Sequence, residues 1–93
     1  MIFLEITMSI AAENRPAAAR IYTMYRQPFL SQIQGARSKE LLVRDEDVQV
    51  LHGFDTIENA QSYLRSNMFT DDVVSGLKPL LKNDPDIRIY QVA

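Results

Sequence analysis

The stretch Val48-Gln49-Val50-Leu51-His52-Gly53-Phe54-Asp55-Thr56-Ile57-Glu58-Asn59-Ala60-Gln61-Ser62-Tyr63-Leu64 changes its period part-way along. Val48, Val50, His52 and Phe54 alternate with Gln49, Leu51 and Gly53, the period of two that marks a strand. Asp55-Thr56 ends the alternation, and a threonine there can accept a hydrogen bond from a free N–H of a following helix. Ile57, Ala60 and Leu64, with Met68 beyond them, recur at helical spacing, which predicts an amphipathic helix from Ile57 to Ser66.

The same change occurs near the N-terminus. Ile2, Leu4, Ile6 and Met8 alternate with Phe3, Glu5, Thr7 and Ser9, giving a strand with one strongly apolar face. Asn14 can cap the next helix, and Pro16 in its first turn lacks only an N–H that would have no partner there. Ala18, Ile21, Tyr22, Tyr25 and Phe29 form its apolar stripe, and Pro28 is expected to kink or end it near Gln27. Gly35 closes the connection to a second strand, Ala36 to Arg44. Asp45-Glu46-Asp47 is a tight charged turn that pairs this strand antiparallel with the third. Thr70 is expected to cap a short helix with Asp71 and Asp72 at its positive end, and Gly76 and Pro79 predict irregular chain from Val73 to Lys82. Asp84-Pro85-Asp86 reads as a turn and Ile87 to Val92 as the closing strand.

The order strand–helix–strand–strand–helix–strand specifies an α+β, ferredoxin-like βαββαβ fold, a four-stranded antiparallel sheet with helices on one face. Ile2, Leu4, Ile6 and Met8 would face the helices. The opposite face would carry Phe3 and either Leu51 or Val50, with Glu5 and Thr7 among them. Such a half-apolar face suits a second sheet, so a homodimer through the sheet face is expected.

A chain of 93 residues supports a single domain, 1–93, and 46% hydrophobic residues is ordinary for a globular one. No stretch approaches the ~20 apolar residues of a membrane helix. Met1-Ile-Phe-Leu-Glu-Ile lacks a basic leader, so no signal peptide and a cytoplasmic location are expected. Without cysteine there is no disulfide framework and no thiolate metal site. Residues 1–44 carry six basic and three acidic side chains, whereas 45–93 carry four basic and nine acidic. Arg15, Arg20, Arg26, Arg37, Lys39 and Arg44 are spread over several elements without a recognition motif beside them. They read as solvated surface, and no nucleic acid partner is expected.

The chain resembles the antibiotic-biosynthesis-monooxygenase-like proteins, whose ferredoxin-like subunits form dimeric α/β barrels. The resemblance covers nearly all 93 residues. It rests on the opening strand, Gln34-Gly35-Ala36, the run Val50-Leu51-His52-Gly53-Phe54-Asp55-Thr56-Ile57-Glu58-Asn59-Ala60, and Leu77-Lys78-Pro79-Leu80-Leu81 with Ile87-Arg88-Ile89-Tyr90. It implies oxidation of a small aromatic or quinol molecule with neither metal nor flavin, in a pocket between helices and sheet. Haem-degrading relatives use an Asn near the first strand, a Trp and a His. Here the first strand has no Asn, the chain has no Trp, Phe54 stands where many relatives carry Trp, and the one histidine is on a strand. Haem degradation is therefore disfavoured.

His52 is the natural candidate for a general base, because its ordinary pKa lies closest to neutrality. The alternative is a hydrogen-bonded core residue among Val48, Val50 and Phe54. Tyr22, Tyr25, Phe29, Phe54 and Tyr63 are candidates to line a site for a flat aromatic ligand, or else are core rings with hydroxyls reaching the surface. A lone histidine argues against a metal site, and three adjacent carboxylates at Asp45–Asp47 do not converge on one ion. Three isolated glycines cannot build a phosphate loop, so nucleotide-dependent chemistry is not expected, and the resemblance implies that no cofactor is used. Two readings remain: a cofactor-independent monooxygenase-like enzyme, and a non-catalytic small-molecule-binding or interaction protein on the same scaffold.

Overall fold

A computed structural model describes all residues, 1–93. Strands β1 (Ile2–Met8), β2 (Ala36–Val43), β3 (Val48–Phe54) and β4 (Asp86–Gln91) form one antiparallel sheet in the order β2-β3-β1-β4. Helices α1 (Arg15–Gln32) and α2 (Ile57–Leu64) supply the two crossovers of the expected ferredoxin-like order. Ile2, Leu4, Ile6 and Met8 are all buried, and across from them Val48, Val50, His52 and Phe54 complete the inner face. Phe3, Glu5, Thr7 and Leu51 fall on the outer face, which settles the choice between Leu51 and Val50.

Local signals act largely as expected. Gly35 adopts φ +80°, the left-handed region that glycine reaches without steric cost. The Thr56 side chain accepts from the Asn59 N–H at 3.1 Å and starts α2. Arg44 N–H donates to the Asp47 carbonyl at 3.1 Å across the β2–β3 turn.

Five expectations are corrected. Asn14 stands at the start of α1 but makes no capping hydrogen bond with its side chain, whose Nδ2 donates to Leu80 O at 3.5 Å instead. Of the two outcomes expected at Pro28, the end of α1 near Gln27 does not occur, and the helix continues to Gln32. The carbonyl that loses its donor belongs to Met24, a residue 64% exposed, so water can serve it. In α2 the buried residues are Ala60 and Tyr63, while Ile57 is exposed and Leu64 packs only partly. Ser66, not Thr70, caps the next helical segment, its hydroxyl accepting from Phe69 N–H at 3.1 Å. The chain from Val73 to Leu80 is not irregular. An α-helical turn at Asn67–Phe69 runs into a π-helix over Thr70–Leu77 and a 3-10 turn at Lys78–Leu80. Gly76 permits this, because a Cβ there would sit 3.3 Å from Ile21 Cγ2 of α1. Its i→i+5 hydrogen bonds widen the coil, and the side it buries carries Asp72, Val73 and Leu77.

Candidate functional site

Two features lie side by side between α1 and the inner face of the sheet. The first is a ring cluster at the Phe54 end of β3. The Phe29 ring stands 5.1 Å from His52, 5.5 Å from Phe54 and 5.1 Å from Tyr63, all edge-on, and Phe69 closes on Tyr63 at 5.7 Å. Edge-to-face packing at these separations aligns ring edges with ring faces and stabilises the group beyond simple area burial. Four of the six sequence-selected site residues, His52, Phe29, Phe54 and Tyr63, thus meet in one place. Tyr22 and Tyr25 are half-buried on α1 and have no ring partner among them, and Tyr22 meets the cluster only through Lys39.

Within this apolar setting sits a charged pair that sequence reasoning missed. Lys39 Nζ contacts Asp72 Oδ2 at 2.8 Å, with Lys39 only 1% and Asp72 only 2% exposed. Lys39 is therefore not part of the solvated surface expected of the basic residues, and Asp72 does not simply dress a helix start. A bulge at Arg37 explains the placement. Ala36 pairs with Phe54, but Ser38 pairs with Gly53 and Lys39 with His52, so the extra residue flips Lys39 to the inner face. The available signal was the period-two relation of Lys39 to Leu41 and Val43, obscured by the mixed Ala-Arg-Ser start of β2. The ammonium also lies 5.3 Å from the Phe29 ring centroid and 5.9 Å from that of Tyr22, whose hydroxyl donates to the Lys39 carbonyl at 2.7 Å.

The electrostatics follow from burial. Desolvation pulls Lys39 down and pushes Asp72 up, each toward its neutral form, and their mutual contact opposes both shifts. His52 is lowered to about 3, mainly by burial and further by the neighbouring Lys39 charge, with its bond to Leu4 acting the other way. A carbonyl can only accept, so the 3.2 Å contact assigns the proton of neutral His52 to Nδ1, donating to Leu4 O. Nε2 is then a free lone pair. It is one of three buried side-chain atoms without a protein partner, and the other two, Tyr63 Oη and Asp72 Oδ1, belong to the same cluster. Burial raises the Tyr63 hydroxyl pKa, and the Asp72 charge adds to it.

The second feature is a cavity of about 380 Å³ at the other end of β3, lined by thirteen residues of which eleven are hydrophobic. Val48 and Val50 form its floor, Ala18, Ala19 and Tyr22 its α1 wall, and Arg15 is its one charged residue. Tyr22 is the sequence-selected residue that reaches this cavity; His52, Phe29, Phe54 and Tyr63 do not line it. Val50 and His52 are two apart on one strand face, which separates the cavity floor from the imidazole by one side-chain step, about 7 Å. Nowhere do three or more His, Asp or Glu side chains gather in a group fit to hold a metal ion.

No protein-family model matches the sequence, and no curated protein matches it. Solved structures do match in shape. A Deinococcus radiodurans structure described as "a putative antibiotic biosynthesis monooxygenase" superposes with a TM-score of 0.84 at 18% identity, covering 100% of this chain and 93% of its own. One from Bordetella bronchiseptica with the same description gives 0.86 at 11% identity over 99% and 96%. A conserved protein of Methanosarcina mazei Go1 gives 0.84 at 15% identity over 97% and 90%. The fold is the one these proteins share. The resemblance seen in the sequence thus holds at the level of the fold, and at these identities it says nothing of the reaction.

Acid stability should report the state of His52. Folded, it stays neutral down to about pH 3, while in the unfolded chain it titrates near its model value of 6.5. Between these values the unfolded chain holds the extra proton, so stability falls with acidification by up to about 1.4 kcal/mol per pH unit. Above the unfolded value the contribution is constant. Urea unfolding of the wild type and of His52→Leu should therefore diverge below about pH 6.5, and parallel curves would show a hydrated imidazole.

Asp72→Asn should cost about 3–5 kcal/mol at pH 7, because it leaves the Lys39 ammonium buried without its counter-charge. The double variant Lys39→Met/Asp72→Leu should recover most of that loss. A single variant as stable as the wild type would show that water reaches the pair.

Proposed function

We propose that this protein binds a small, flat, mostly apolar molecule in the cavity between α1 and the sheet and oxidises it as a cofactor-independent monooxygenase-like enzyme, with His52 as the base. The cavity carries the reading. Its size falls within the ~300–1,000 Å³ of small-molecule sites, and its walls are apolar. The fold shared with structures described as monooxygenases supports oxidation as the chemistry, by analogy. A small aromatic or quinol substrate of the anthrone type fits both. Its acidic C–H proton would pass to His52 Nε2, and the carbanion would reduce molecular oxygen directly. The CH₂ carbon becomes a carbonyl, and its two hydrogens leave with the second oxygen atom as water. His52 does not line the cavity, so the interior would have to open beside it for substrate to reach Nε2.

A second reading, binding without reaction, is favoured by two observations. His52 is absent from the cavity wall, and a conjugate acid with a pKa of about 3 makes a weak base at neutral pH. Oxygen-electrode assays on an anthrone and quinol panel, paired with calorimetric titration of 2-naphthol, separate the two. The enzyme reading expects uptake that falls by about a hundredfold or more in His52→Gln. Binding without any oxygen uptake would leave only the second reading.

The outer sheet face supports a homodimer built by sheet-to-sheet packing. Phe3 and Leu51 are half-buried there beside Leu42 at 47% and Tyr90 at 45% exposure. Sedimentation equilibrium should give twice 10.6 kDa, and Leu51→Lys should return the mass to that of one chain. A wild-type monomer at micromolar concentration would remove the dimer.

A further inference from the structure

From the charges at the cavity mouth we infer that the ligand is an amphiphilic anion: an apolar ring body in the cavity and a carboxylate at Arg15. This deepens the reading of the cavity as a small-molecule site and rests on it.

Arg15 is the one charged residue in an otherwise apolar lining, and it is held in place by backbone alone. Its Nε donates to the Ile10 carbonyl at 3.3 Å, Nη1 to Arg44 O at 2.7 Å and Nη2 to Asp45 O at 2.8 Å. Three carbonyls fix the guanidinium without neutralising it. Three of its five N–H donors are used, and two remain. Arg15 joins no ion pair. The carboxylate that feels its charge, Asp47, is already engaged by Arg44 at 2.7 and 3.0 Å.

A shallow groove continues outward from the cavity, sharing Ile10, Ala12 and Arg15 with it and adding Asp45 and Lys82. Lys82 likewise joins no ion pair, while its backbone N–H is fixed to Ser9 O at 2.9 Å. Among the residues that line this groove, two cations stand against one carboxylate, Asp45. Two free guanidinium N–H groups at the rim of an apolar cavity suit a carboxylate, which accepts charge-assisted hydrogen bonds. A neutral ligand of the same shape would gain the apolar burial and leave that charge unused.

The test compares two ligands that differ only in the head group, 2-naphthoate and 2-naphthalenemethanol, by calorimetric titration at low ionic strength. The wild type should bind the carboxylate about tenfold more tightly or better, and the preference should shrink with added salt. In Arg15→Gln the preference should vanish while the alcohol still binds. Lys82→Gln, which alters only an exposed side chain, should reduce the preference in part, and it serves should Arg15→Gln fail to fold. Equal wild-type affinities would overturn the anionic ligand and leave the cavity reading standing. Binding of neither ligand would overturn both.

Discussion

The ion pair between Lys39 and Asp72 constrains everything around it. Two charges removed from water destabilise the fold unless each keeps the other close, so β2 and the π-helix are held in one relative position. The 2.8 Å contact ties the edge strand to the segment after α2, elements that share no backbone ladder. Around it the protein places what an ammonium tolerates in a dry interior: the faces of Phe29 and Tyr22, and a neutral imidazole rather than a charged one. Lys39 thereby acts on His52 as well. Its charge adds to burial in keeping that ring deprotonated, with the free lone pair on Nε2.

That arrangement divides the space between helices and sheet. Toward Phe54 the interior is filled by interlocking rings, and three polar atoms there lack protein partners. Toward Val48 the packing leaves a cavity, because alanines 18 and 19 on α1 face valines on β3 and nothing larger spans the gap. Tyr22 belongs to both regions, with its ring on the cavity and its hydroxyl on the Lys39 carbonyl.

Identities of 11–18% with structures of closely similar shape have a physical basis. What the fold demands of the sequence is an apolar inner face on each central strand, helices with one apolar side and a few special turns. Many residue sets meet those demands. Polar groups buried in the interior are held by specific partners instead, so they are where proteins of one fold can differ in function.

Strand order, antiparallel pairing and the inner face were legible in the sequence, because alternation on β1 and β3, the cap at Thr56 and the turn glycine Gly35 are local signals. His52 could be assigned to the inner face, and the rings Phe29, Phe54 and Tyr63 could be chosen, on periodicity and composition. Their meeting in one cluster apart from the cavity could not be foreseen, because it depends on how α1 and α2 lie across the sheet. Lys39 and Asp72 are polar residues in unremarkable local settings. Only a one-residue bulge at Arg37 and the wide turn of a π-helix bring them together, so the period-two link of Lys39 to Leu41 and Val43 could point to its side of the sheet but not to its partner. Pro28 shows the same limit from the other side. The rule that proline breaks a helix is local, but whether the orphaned carbonyl finds water depends on which face the assembled helix turns outward.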